Sequence, residues 1–179
     1  MIALLSDPAL NSEILARLDK AGPEFKKEGF RVVSMPGNTI WIVGADVRGV
    51  LFGAGWLLRN LHMEKGIVQL NAPVDHASSP AYPIRGHQLG YRTTANSYDA
   101  WDVKQYEKYI RELAIFGSNA VEGIPFHEDD SPSPHFKIPA AEMNVRLSEI
   151  CQAYDMDYWV WTPATFDLTN KEKRKAELD

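Results

Sequence analysis

The chain has 179 residues, 45% hydrophobic and 11% aromatic, with a formal charge of −5. That is enough apolar material for a packed core and too much for disorder. The acidic balance excludes a nucleic-acid footprint, the single cysteine, Cys151, excludes an intrachain disulfide or a cysteine zinc cluster, and no apolar run reaches the roughly 18–20 residues that span a membrane.

In chain order, MIALLSDPAL carries neither a charged leader nor a long apolar stretch. IALL reads as a short buried strand, and Asn11 or Ser12 caps a helix with Ile14, Leu15 and Leu18 on one side. GFRVVSM and TIWIVGA are two β-rich runs joined by Pro36-Gly37-Asn38, which predicts a hairpin because Pro fixes φ while Gly and Asn accept positive φ. Asp46 then caps a helix with Val47, Val50, Leu51, Ala54, Leu57, Leu58 and Leu61 at helical spacing. Gly49 and Gly53, one turn apart, let its backbone approach a sheet. The same run, GADVRGVLFGAG, is no phosphate loop: it has no Lys-Ser/Thr pair, and Asp46 repels an anion at the helix start.

Residues 71–83, NAPVDHASSPAYP, carry three prolines and no periodicity, and read as a linker. Beyond it strands alternate with helices: IRGHQLGYR, a helix from Asp102 to Gly117 with Val103, Tyr106, Ile110 and Leu113 inward, NAVEGIP, a helix with Pro139 at its first position and Met143, Leu147, Ile150, Cys151 and Tyr154 on its apolar side, and DYWVWTP. The tail TNKEKRKAELD opens another helix. Strands separated in this way imply parallel βαβ units. The expected fold class is α/β: a small α+β domain over 1–70, the linker, and over 84–179 the first three βα units of a TIM barrel. Three barrel strands form an incomplete sheet, so the chain reads as a fragment.

KEGFRVVSMPGNTIWIVGADVRGVLFGAGWLLRNL resembles the small domain that precedes the catalytic barrel in family 20 β-hexosaminidases and in α-glucuronidases. Glu28-Gly29-Phe30-Arg31, Gly44, Arg48-Gly49-Val50-Leu51-Phe52-Gly53 and Tyr82-Pro83-Ile84-Arg85-Gly86 carry the likeness. It implies a glycoside hydrolase whose catalytic Asp-Glu pair lies on barrel strand 4, past this chain. Departures stand at Gly90, where family 20 has Asp, and at Asn119, Glu122 and Ile124, where it has Asn-x-x-His-x-His. They point to a relative rather than a hexosaminidase proper.

The candidate substrate-binding residues are Arg85, His87, Glu122 and Trp161. Arg85, His87, Leu89 and Tyr91 share one strand face, expected to meet the ligand at the carboxyl end of a barrel. By resemblance Arg85 contacts sugar hydroxyls; the alternative is an ion pair with a carboxylate such as Glu122. Glu122 suits a hydrogen bond to a sugar hydroxyl, or holds Arg85, but has no identifiable partner for acid–base catalysis. Trp161 offers a flat face near a strand end, as do Tyr91, Tyr98, Trp101 and Trp159, whereas Trp41 and Trp56 read as packing. The loop 125–135, with His127, Glu128, Asp129, Asp130 and His135, holds metal-ligand types at a spacing that matches no metal motif. No metal or other cofactor is expected, and the expected partner is a carbohydrate. A non-catalytic carbohydrate-binding or scaffold protein is the competing reading, with a metal-dependent hydrolase built on His127 and His135 behind it.

Overall fold

The computed structural model describes residues 26–89, 98–124, 135–160 and 169–178, together with 1–4, 6, 10, 12 and 14–16. It is a mixed α/β fold with three sheets among the described residues. The first sheet is built on the expected hairpin, β2 (Phe30–Met35) and β3 (Thr39–Gly44), paired antiparallel from Phe30↔Gly44 to Met35↔Thr39. Gly37 and Asn38 take φ of 78° and 56°, as the turn requires. β1 (Ile2–Leu4) joins β3 in parallel. Val33, Trp41, Val43 and Ala3 pack one core with Ile14 and Leu10.

One correction and one unanticipated hairpin concern the segment that follows. Residues 75–78, read as linker, form β6 (Asp75–Ser78), which pairs antiparallel with β2. A second hairpin, β4 (His62–Glu64) and β5 (Ile67–Gln69), precedes it. Neither strand shows a period-2 apolar pattern, because β6 is an edge strand and β4–β5 is largely exposed. What holds β6 is a charge: Arg31, 1% exposed, donates from Nε and Nη2 to Asp75, each at 2.8 Å.

Helix α1 (Val47–Asn60) crosses this sheet. Asp46 caps it by accepting from the Gly49 N–H at 2.8 Å, and its second oxygen accepts from the Glu28 N–H at 2.8 Å. The helix N-terminus is therefore filled by a carboxylate of the chain itself. A Cβ on Gly49 would lie 2.2 Å from the Gly29 carbonyl oxygen, and one on Gly55 would lie 2.2 Å from that of Ile115. The first glycine lets α1 meet the sheet, and the second lets it meet the following helix.

The remaining elements are β7 (Gly86–Gln88), α2 (Val103–Ile115), β8 (Ala120–Glu122), α3 (Ala140–Ala153), β9 (Asp157–Trp159) and α4 (Lys171–Leu178). β7, β8 and β9 are parallel and lie in chain order. A capping box joins Asp102 and Gln105 at the start of α2. Pro139 is the residue before α3 rather than its first helical residue, with ψ at 142°. Tyr106, Ile110 and Ala114 of α2, Met143, Leu147 and Cys151 of α3, and Leu89 and Val121 of the sheet form the second core. Burial pushes the Cys151 thiol up to about 12, which leaves it an unreactive apolar group.

Candidate functional site

Side chains alternate across a strand, so the register of β7–β8–β9 sorts the candidates into two faces. His87, Val121 and Tyr158 are partners on one face, and Gln88, Glu122 and Trp159 are partners on the other. The first face lies under α2 and α3. Val121 is fully buried, Leu89 is 3% exposed, and His87 meets the Tyr109 hydroxyl at 3.0 Å with the two rings edge-on. His87 therefore faces α2, on the side of the sheet opposite the Gln88–Glu122–Trp159 row. The cause is Leu89, two residues on, whose burial beside Tyr106 and Ile110 fixes which face turns inward.

Among the described residues the second face is open toward its carboxyl end, whereas Ala120 nearer the amino end is buried. Gln88 donates from Nε2 to Glu122 Oε1 at 3.2 Å, and Trp159 beside them is 52% exposed. An amide, a carboxylate and an indole thus lie side by side across three strands. Gln88 was missed in the sequence because its neighbour across the sheet is set by register, which a single chain does not display. Tyr98 and Trp101 are not free platforms. Their rings meet edge-on with centroids 4.8 Å apart, and both pack against Tyr109.

Arg85 stands at the amino end of β7, away from the carboxyl end. Its backbone N–H donates to Asn119 Oδ1 at 2.8 Å, and its side chain donates to the carbonyls of Gly117 and Tyr82, both at 2.9 Å. Its ion-pair partner is Glu28 at 2.7 Å, not Glu122. Glu28 is 3% exposed and also accepts from Arg48 and twice from Asn119, each at 3.1 Å. Burial raises its pKa, and the bonds from Asn119, Arg85 and Arg48 more than offset that, so the carboxyl sits below its ordinary range. Glu28 is held at φ 63°, in the left-handed region. Arg48 continues to Asp157 at 2.8 Å and Asp155 at 3.2 Å. The amino ends of β7, β8 and β9 are thus tied, through Arg85, Asn119 and Asp157, to one buried carboxylate and its arginine. Glu28-Gly29, Arg48-Gly49 and Arg85-Gly86, far apart in sequence, meet here.

Trp161 and Tyr91, with His127, Glu128, Asp129 and Asp130, lie outside the described residues. Among the described residues no group of three His, Cys, Asp or Glu side chains is arranged to hold a metal ion, and no helix is long and apolar enough to cross a membrane.

The sequence matches no protein-family model and no curated protein. Solved structures do resemble the fold. CpGH84B has a TM-score of 0.63 and 18% identity, over 93% of this chain and 29% of its own. A glycoside hydrolase family 20 β-N-acetylglucosaminidase has a TM-score of 0.55 and 16% identity, over 88% of this chain and 37% of its own. A β-N-acetylhexosaminidase from Bacteroides fragilis has a TM-score of 0.52 and 17% identity, over 90% of this chain and 39% of its own. The fold is glycoside hydrolase-like, and the chain spans well under half the length of each of these three structures.

Proposed function

We propose that this chain is a piece of a glycoside hydrolase, with residues 1–70 belonging to a small α/β domain and 84–179 forming the first three strands of a (β/α)8 barrel. Strand β6 extends the small sheet into the connection, which leaves the Pro-rich stretch around Pro80 and Pro83 as the crossing. The observation that carries this reading is the row Gln88–Glu122–Trp159, on the face of three in-order parallel strands opposite the one closed by helices. In a complete barrel that face lines the interior, and ligands bind at the carboxyl ends of the strands. An amide, a carboxylate and a flat indole are the groups that bind a sugar: hydrogen bonds to hydroxyls and packing on the ring face.

Hydrolysis would use a carboxylate pair on a later strand, one acid protonating the leaving oxygen and the other serving as nucleophile or base. The structures resembled include enzymes named for β-N-acetylglucosaminides, so aryl β-N-acetylglucosaminides are the first substrates to try. The experiment is hydrolysis by the longer protein and its Glu122→Gln variant. Loss of about tenfold or more in kcat/KM supports a sugar contact at Glu122, and an unchanged value removes it.

A second reading, carbohydrate binding without catalysis, draws on a specific feature. By alternation Asp157 shares the face of Glu122, yet Arg48 occupies it, so among the described residues Glu122 has no available carboxylate partner there. Sugar binding by the longer protein without turnover of any aryl glycoside would decide for it.

A further inference from the structure

Between the two main sheets lies a cleft of about 250 Å³, at the amino ends of the parallel strands and away from the Gln88–Glu122–Trp159 row. Phe52, Trp56 and Arg59 of α1 line one side, and Arg85 and Phe116 line the other. Both arginines are held by rings: the Arg59 guanidinium carbon is 4.9 Å from the centre of Phe116, and that of Arg85 is 5.1 Å from the centre of Phe52. A guanidinium carries five N–H groups. Arg85 commits one each to Gly117, Tyr82 and Glu28. Arg59 donates from Nη1 to the Ile115 carbonyl and has no carboxylate partner among the described residues. Both side chains line a cleft shared with the rings of Phe30, Phe52, Trp56 and Phe116 and with the Glu28 carboxylate.

We propose that this cleft is a second saccharide site, sized for a single pyranose ring. The volume suits one ring rather than a chain. The donors suit neutral hydroxyl oxygens better than an anion, because the Glu28 carboxylate lines the same cleft and already pairs with Arg85. Trp56, backed by a stacked His76 with ring centres 4.3 Å apart, is a rigid wall for the apolar face of the ring. The choice of a sugar as ligand rests on the carbohydrate reading above; the position of the site does not.

The test is saturation-transfer NMR and titration of the 179-residue chain with methyl β-glucopyranoside and N-acetylglucosamine, in parallel with Arg59→Gln, Trp56→Leu and Glu122→Gln. Arg59 is exposed and outside the Glu28 cluster, so its substitution leaves the fold in place even where Trp56→Leu does not. The expected result is saturable millimolar binding, weakened at least fivefold by Arg59→Gln and unchanged by Glu122→Gln. No saturable binding, or binding that survives Arg59→Gln, overturns the site. Binding lost in Glu122→Gln and kept in Arg59→Gln overturns it while leaving the row on the sheet as the sugar contact.

Discussion

The two ends of β7, β8 and β9 are built for opposite purposes. At the amino end, Arg85, Asn119 and Asp157 are drawn into a cluster around Arg48 and the buried Glu28, where each charge meets an opposite charge and each amide a partner. Two or three residues further along the same strands, Gln88, Glu122 and Trp159 share one side-chain hydrogen bond at 3.2 Å and face outward. Anchoring and presentation are separated along one short strand. A sheet fixed at one end can expose polar groups at the other, because its order does not depend on burying them.

Breaking the anchored end should give the largest effect. Glu28→Ala leaves two arginines and an amide facing a void, and removal of one partner from a buried ion cluster costs on the order of 3 kcal/mol, somewhat less here because the arginines keep partial contact with water. Urea unfolding should show the midpoint falling with little change in slope. Gly55→Ala follows at roughly 1–3 kcal/mol, since its methyl must displace the Ile115 backbone; thermal melting reads this directly.

Acidity sharpens the contrast. The folded pKa of Glu28 lies below the ordinary 4.5. Its contribution is therefore fully present above the unfolded value and is lost as pH falls through the folded one. Stability measured from pH 7 down to 2 should lose part of its acid-side slope in Glu28→Gln, and an unchanged slope would show that Glu28 is not the linked group.

At the presenting end the effects on stability should be small. Gln88→Ala is expected within about 0.5 kcal/mol of the parent by urea unfolding, while weakening any sugar bound by the longer protein. Smallest of all is the exposed Arg146–Glu149 pair at 3.1 Å, where Arg146→Ala should cost a few tenths of a kcal/mol, about the limit of the same measurement.

Much of this was readable in single residues. Pro36-Gly37-Asn38 marked the hairpin, Asp46 and Asp102 marked helix starts, and Tyr106, Ile110, Met143, Leu147 and Cys151 marked the inner stripes of α2 and α3. The likeness in Glu28-Gly29, Arg48-Gly49 and Arg85-Gly86 was visible too, but its meaning was not. Arg85 was expected to reach for a ligand or for Glu122, and it reaches for Glu28, 57 positions away. His87 was placed with the ligand because a strand pattern names two faces without saying which is inside. β6 escaped notice because Arg31 and Asp75, rather than an apolar alternation, hold it in the sheet.

The sequence by itself determined the first hairpin, the parallel βα pattern of the second half and the apolar stripes that make its core, since these follow from local conformational preference and periodic burial. Only the tertiary structure decided which face of β7 meets the helices, which acid pairs with Arg85, and that Gln88 stands beside Glu122. Those depend on register and on contacts between distant segments, where the energy of an ion pair or a buried leucine is settled by neighbours the linear chain does not name.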